Sequence, residues 1–214
     1  MLYRFSRFVL LIFLKLFFKF KVEGVRHVPK KGGFILVCNH VSYLDPAVLG
    51  VACPRPVSFM ARDTLYHNRL LGLWMKLVNV IPVKRDSADF SAIKKGLRVV
   101  QKGKGLAIFP EGTRRIPEKA FINPEPGAGF LADKGRVPVI PAFVSGTYEA
   151  LPKGVNKKIS FGKKILLRFG EEIHIERGKP YHEIAEMIMA SIKNLGDGKN
   201  LGDGSSLHNH NNYR

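Results

Sequence analysis

Asn39 to Pro46 reads NHVSYLDP and follows an unbroken apolar run, Phe34-Ile35-Leu36-Val37-Cys38, itself preceded by Gly32 and Gly33. Such a run bounded by a turn signal predicts a buried strand of an α/β sheet. Asp45-Pro46 predicts a helix start, with Asp as N-cap and Pro at the first helical position. His40 then stands where a strand ends. Crevices beyond the carboxyl ends of strands are where open α/β sheets bind ligands.

His40 and Asp45 suit general-base chemistry. A neutral imidazole accepts a proton near neutral pH, and a carboxylate on its other nitrogen would fix the tautomer. On one continuous helix the two positions would lie about 140° apart, so a turn must bring them together. The same two residues also fit a surface His and an Asp that only caps.

Three further blocks bear on that choice. NVIPVKR (Asn79–Arg85), FPEGTRR (Phe109–Arg115) and VPVIPAF (Val137–Phe143) follow NHVSYLDP in this order. The series resembles the four blocks of the glycerolipid acyltransferase family, the family that contains 1-acyl-glycerol-3-phosphate acyltransferase. The resemblance runs from about Gly24 to Leu195. It implies His40 and Asp45 as the catalytic pair, and Arg85, Glu111, Gly112, Thr113 and Arg114 as acceptor-binding residues. Planar guanidinium groups suit phosphate oxygens, and Gly112 permits close backbone approach. Glu111 could accept from a glycerol hydroxyl or pair with Arg114 or Arg115 to order the loop.

The implied reaction is direct acyl transfer from a thioester, acyl-CoA or acyl carrier protein, to the free hydroxyl of a lysophospholipid. The thioester is a co-substrate; no resident cofactor and no metal are expected. Backbone N–H groups after His40 or near Ala47 are candidates, by position, for stabilising the oxyanion. The chain departs from the family pattern at Asn79 and Lys84, where many relatives have Gly and Asp. Asn123-Pro124-Glu125-Pro126 stands before Gly127, where relatives often place a Lys. An acceptor other than lysophosphatidate, such as glycerol-3-phosphate or another lysolipid, stays open.

The 214 residues carry a net charge of +18 with 45% hydrophobic residues, which excludes a disordered chain and calls for an anionic partner. A basic non-catalytic binder of membranes or nucleic acid is the competing class. No helix-turn-helix, zinc-ligand or RRM-like signature supports nucleic acid, so none is expected as partner. The two cysteines, Cys38 and Cys53, offer no disulfide framework and point to a reducing compartment.

Residues 1–21 are dense in Phe and Leu and carry only positive charges. The longest apolar run, Phe8 to Leu14, falls far short of the ~20 residues that span a bilayer. On a helix Arg4, Arg7, Lys15 and Lys19 share one arc of roughly 120°. The segment is expected to lie in the interface of an anionic membrane, peripherally, at its cytoplasmic face. A core helix or a short tilted span is the alternative.

The whole reads as an α/β fold. It is a single domain with a mixed, mostly parallel sheet flanked by helices, plus the N-terminal interfacial amphipathic helix. Domain limits are expected at 1–21 for the anchor, 22–195 for the acyltransferase domain and 196–214 for a polar tail. The tail repeats KNLGDG at 193–198 and 199–204, cannot bury a core, and is expected to be disordered. Within the domain, helices are predicted at Thr64–Val78, from a Ser87 cap through Val100, at Ala128–Lys134 and at Tyr181–Leu195. Later strands are predicted at Val57–Met60, Val80–Val83, Leu106–Phe109, Val139–Val144, Ile159–Phe161, Ile165–Phe169 and Ile173–Ile175.

Overall fold

The computed structural model describes residues 2–84, 89–116, 123–154 and 158–198. The expectations for Arg85, for Ser87 and for the tail from 199 onward fall outside these residues. The apolar run after Gly33 is β2 (Phe34–Cys38), buried along its whole length. Its alternation feeds both layers. Phe34, Leu36 and Cys38 pack on one face of the sheet, and Ile35 and Val37 on the other.

Among the described residues one sheet runs in the order β1-β7-β6-β2-β5-β3-β4. Here β1 is Lys19–Glu23, β3 Val57–Arg62, β4 Ile81–Val83, β5 Gly105–Ile108, β6 Val139–Ser145 and β7 Lys164–Phe169. β2 pairs in parallel with both β5 and β6, and β3 pairs in parallel with β5 and β4. β7 is antiparallel to β6 and carries β1 parallel to itself, so these two edge-side strands run the other way.

Helices α1 (Leu2–Phe17) and α2 (Asp45–Ala52) cover the Phe34 face. Leu14 of α1 and Val48 and Leu49 of α2 are fully buried there. The Ile35 face is covered by α4 (Phe90–Gln101), α5 (Pro126–Gly135) and α7 (Tyr181–Gly196). Each fully buried Leu, Ile or Phe contributes about 1.5–3 kcal/mol, so the two apolar layers hold the sheet in place. α3 (Arg69–Leu77) and the single-turn α6 (Thr147–Ala150) complete the described helices.

Several sequence expectations shift. The helix expected over 1–21 stops at Phe17, and Lys19–Glu23 joins the sheet as β1. The helix expected over 64–78 divides into a 3-10 segment, Asp63–His67, and α3, with Asn68 accepting from the Leu71 amide at the break. α4 is capped by Asp89, whose carboxylate accepts from the Ala92 amide, in place of the expected Ser87 cap. Residues 159–161 and 173–175 form no strand, although the Ile173 amide still donates to the Val139 carbonyl of β6 at 2.8 Å. Asn79 adopts φ 61, a left-handed conformation that Asn tolerates better than most side chains.

Candidate active site

β2 ends at Cys38, and Asn39 prolongs its pairing with side-chain atoms. Its Nδ2 donates to the Val144 carbonyl at 2.9 Å, and its Oδ1 accepts from the Val144 amide at 2.8 Å. This holds the strand end against β6 and sets His40 at the carboxyl rim of the sheet. The turn that follows closes on Asp45. Its Oδ2 accepts from the amides of Val41 and Ser42, both at 2.7 Å, and from His40 Nδ1 at 2.8 Å.

Asp45 is the first residue of α2 rather than its N-cap, which is Leu44. The carboxylate therefore reaches back into the preceding turn instead of forward along its own helix. It is fully buried, whereas the His40 side chain keeps 17% exposure. A carboxylate can only accept, so Nδ1 carries the proton and Nε2 presents a lone pair. Nε2 has no hydrogen-bond partner among the described residues. The ring lies against Phe109, with centroids 4.1 Å apart and planes 20° apart. This arrangement can accept a proton at Nε2 with the tautomer fixed from behind.

The loop after β5 interlocks with His40. Glu111 Oε1 accepts from the His40 amide at 2.9 Å, and the Arg115 amide donates to the His40 carbonyl at 2.8 Å. Glu111 is only 2% exposed, and its other oxygen faces the buried Arg115 guanidinium at 3.4 Å. Burial pushes its carboxyl above the usual carboxylate range, and the His40 amide and Arg115 pull against that. Of the two roles open to Glu111, the geometry is that of the loop-ordering one: it turns inward and ties the loop to β2 through the His40 amide and Arg115.

Gly112 is exposed and takes φ 61, the turn that redirects the chain after Glu111. Thr113 is half-buried, and its amide donates to the Glu111 carbonyl at 2.7 Å. The guanidinium of Arg114 stacks over the Tyr43 ring, 3.4 Å from its centroid. Its Nη1 is shielded from solvent yet has no hydrogen-bond partner among the described residues. Lys153 Nζ donates to the Arg114 carbonyl at 2.7 Å.

Other candidate nucleophiles are not available. Ser42 Oγ donates to the Leu151 carbonyl at 2.8 Å. Burial pushes the Cys38 thiol well up, and that of Cys53 to about 11, so neither supplies a thiolate at neutral pH. The amides of Val41, Ser42 and Leu44, candidates for an oxyanion site, are already taken by Asp45 and by Ser42 Oγ.

Tyr43, Phe109 and Lys153 join the site without having been singled out from the sequence. Arg62 ends β3 at the same carboxyl edge of the sheet and is exposed. For Tyr43 and Phe109 a signal existed, since both lie inside or beside the quoted blocks. Lys153 comes from a distant loop, and no spacing could have indicated it.

A family model described as Acyltransferase matches residues 19–145. A 1-acyl-sn-glycerol-3-phosphate acyltransferase of Bacillus subtilis is 29% identical over 174 residues, 81% of this chain and 83% of that relative. The Saccharomyces cerevisiae protein of the same name is 34% identical over 131 residues, 59% of this chain, which spans less than half of that relative, 43%. The crystal structure of PlsC from Thermotoga maritima, a 1-acyl-sn-glycerophosphate (LPA) acyltransferase, superposes with a TM-score of 0.72 at 23% identity, covering 91% of this chain and 78% of that one. That likeness is one of fold. By the match over 19–145, which takes in His40, Asp45 and the loop from Phe109 to Arg115, the chain belongs to the Acyltransferase family.

Proposed function

We propose that the chain transfers an acyl group from a thioester, acyl-CoA or acyl-ACP, to the free hydroxyl of 1-acyl-glycerol-3-phosphate, giving phosphatidic acid. The reading rests on one observation above all: His40 Nδ1 held 2.8 Å from the buried Asp45, with Nε2 unpartnered at the rim. The hydroxyl loses its proton to Nε2 as its oxygen attacks the thioester carbonyl. The carbon–sulfur bond breaks and the thiolate leaves on its carrier, taking up the proton that imidazole returns. Asp45 stabilises the imidazolium between these steps.

Arg114 binds the acceptor phosphate, and its unpartnered Nη1 supports that role. Arg85 is proposed as a second phosphate ligand on the family resemblance. Glu111, Gly112 and Thr113 shape the loop that presents Arg114. α1 lies in the interface of an anionic membrane at its cytoplasmic face, bringing the enzyme to a lipid acceptor; no described helix is long and apolar enough to cross a membrane.

Purified protein assayed against a panel of lysolipids, glycerol-3-phosphate and both thioester carriers tests the reading. Phosphatidate formation from lysophosphatidate, lost in His40→Ala while vesicle binding persists, is the expected result. Vesicle binding by both proteins without acyl transfer by either would overturn it in favour of a non-catalytic binder.

A further inference from the structure

Two helices leave apolar stripes uncovered. On α1, Phe5, Phe8, Val9, Ile12 and Leu16 recur at helical spacing and are all exposed, Phe8 at 61% and Leu16 at 73%. They fall within about 60° either side of one line along the helix, while Leu14 faces the core from the opposite side. On α3, Leu70, Leu73, Trp74 and Leu77 repeat the pattern, with Leu70 83% exposed. Only Gly72 and Met75 of α3 are buried.

The stripes are neighbours. Trp74 Nε1 donates to Ser6 Oγ at 3.3 Å, and Ser6 flanks the α1 stripe beside Phe5 and Val9. That hydrogen bond sets the exposed apolar side chains of the two helices near one another, and exposed apolar groups gathered in this way mark interaction sites. Exposed cations border it, Arg4 and Lys15 on α1 and Arg69 and Lys76 on α3, and neither helix contains an Asp or Glu.

We propose that α3 is the second half of a membrane-docking platform whose first half is α1, and that its occupant is the interfacial region of an anionic bilayer. This rests on the reading of α1 as an interfacial anchor and extends it to α3. The charge pattern selects the occupant. Apolar side chains enter the acyl region while the bordering cations meet anionic headgroups. A second copy would set cations against cations with no acid between them, which opposes self-association.

The α1 half lies on the layer of the sheet that leads to the imidazole. Phe59 and Phe109 pack against the same core as α1 and α2, and Phe109 stacks on His40. Two-point attachment fixes how this layer faces the lipid, which one helix alone would leave free to rotate about its own axis.

Trp74 is the chain's single tryptophan, so its fluorescence reports α3 directly. The full chain is titrated with phosphatidylcholine/phosphatidylglycerol vesicles, with and without lipids brominated in the acyl chains. Trp74 emission is expected to shift to the blue and to be quenched by the brominated chains. Leu70→Glu/Leu77→Glu is expected to lower partitioning at least about tenfold, since each buried Leu is worth about 1.5–3 kcal/mol. Activity on a monomeric, short-chain acceptor is expected to stay unchanged in this variant, which separates the proposal from the catalytic reading.

Unshifted and unquenched Trp74 on vesicles that still bind the wild type overturns the role of α3 and leaves α1 as the sole anchor. Absence of wild-type binding overturns both. A lipid-free dimer dispersed by Leu70→Glu/Leu77→Glu makes the face an interface between copies, and this too overturns the proposal. Should the variant fail to fold, judged by circular dichroism, the wild-type quenching decides alone.

Discussion

The guanidinium carbon of Arg114 lies 3.4 Å from the centroid of the Tyr43 ring, so the loop after β5 rests on the turn that carries His40. Stacking fixes the plane of the guanidinium, and the Lys153 bond to the Arg114 carbonyl holds its backbone. An exposed cation–π contact is worth about 0.5–1 kcal/mol, or about a two- to fivefold effect. Tyr43→Ala is therefore expected to raise KM for a phosphorylated acceptor by that factor, with Tyr43→Phe near wild type. Arg114→Ala should raise it further, with little change in KM for the thioester. Because Tyr43 acts through Arg114, the double variant should match Arg114→Ala alone. Additive losses, or equal effects on both substrates, would remove Tyr43 from acceptor recognition.

Chemistry and stability separate at Asp45. His40→Ala should lower kcat by about 10²–10⁴, the usual contribution of a positioned base. Asp45→Asn keeps an oxygen for the Val41 and Ser42 amides but can donate to Nδ1, which favours the wrong tautomer. It should lose kcat with its circular dichroism and Tm nearly intact. Asp45→Ala strands buried donors at about 1–3 kcal/mol each, so its Tm should fall as well. An Asp45→Asn enzyme with wild-type kcat would show that the carboxylate does no more than shape the turn.

Glu111 makes stability depend on pH in a direction that can be read in advance. Burial raises its pKa above the ordinary 4.5, so the folded chain holds this proton more tightly than the unfolded one. Its contribution is then fully present below the unfolded value and is lost as pH rises through the folded value. Glu111→Gln removes that dependence. Thermal melts of both proteins from acid to neutral pH should show the Tm advantage of the wild type shrinking as pH rises through the window above 4.5. An advantage that grows with pH would mean that Arg115 and the His40 amide outweigh burial.

The central strands and the contact between His40 and Asp45 were legible because each is specified locally. Phe34 to Cys38 is apolar on both faces, which only a strand buried on both sides explains, and His40 and Asp45 sit in one turn. The edge strand Lys19–Glu23 was not legible. Its alternation is masked by the apolar helix before it, and its pairing with β7 joins residues far apart in sequence. A pairing of Glu111 with Arg115 was open from the sequence, but its bond to the His40 amide was hidden for the same reason. Nothing in FPEGTRR says that its carboxylate will meet the amide of His40, which the register of β2 on β5 brings beside it. Tertiary neighbours decided those cases.

Gly112 separates backbone strain from contact. A Cβ there would lie 2.8 Å from Glu125 Cγ, but Glu125 is an exposed, flexible side chain that can turn aside. The φ of 61 cannot be relieved in the same way, and a left-handed Ala costs about 1–2 kcal/mol. Gly112→Ala should therefore lower stability by about that amount. Gly112→Asn should cost less despite its larger side chain, since Asn tolerates this region. Both should raise acceptor KM more than thioester KM, because the turn at Gly112 sets where Arg114 stands. Denaturant titration and steady-state kinetics of the pair provide the check. A greater loss in Asn than in Ala would show that the clash with Glu125, and not the backbone, governs the site.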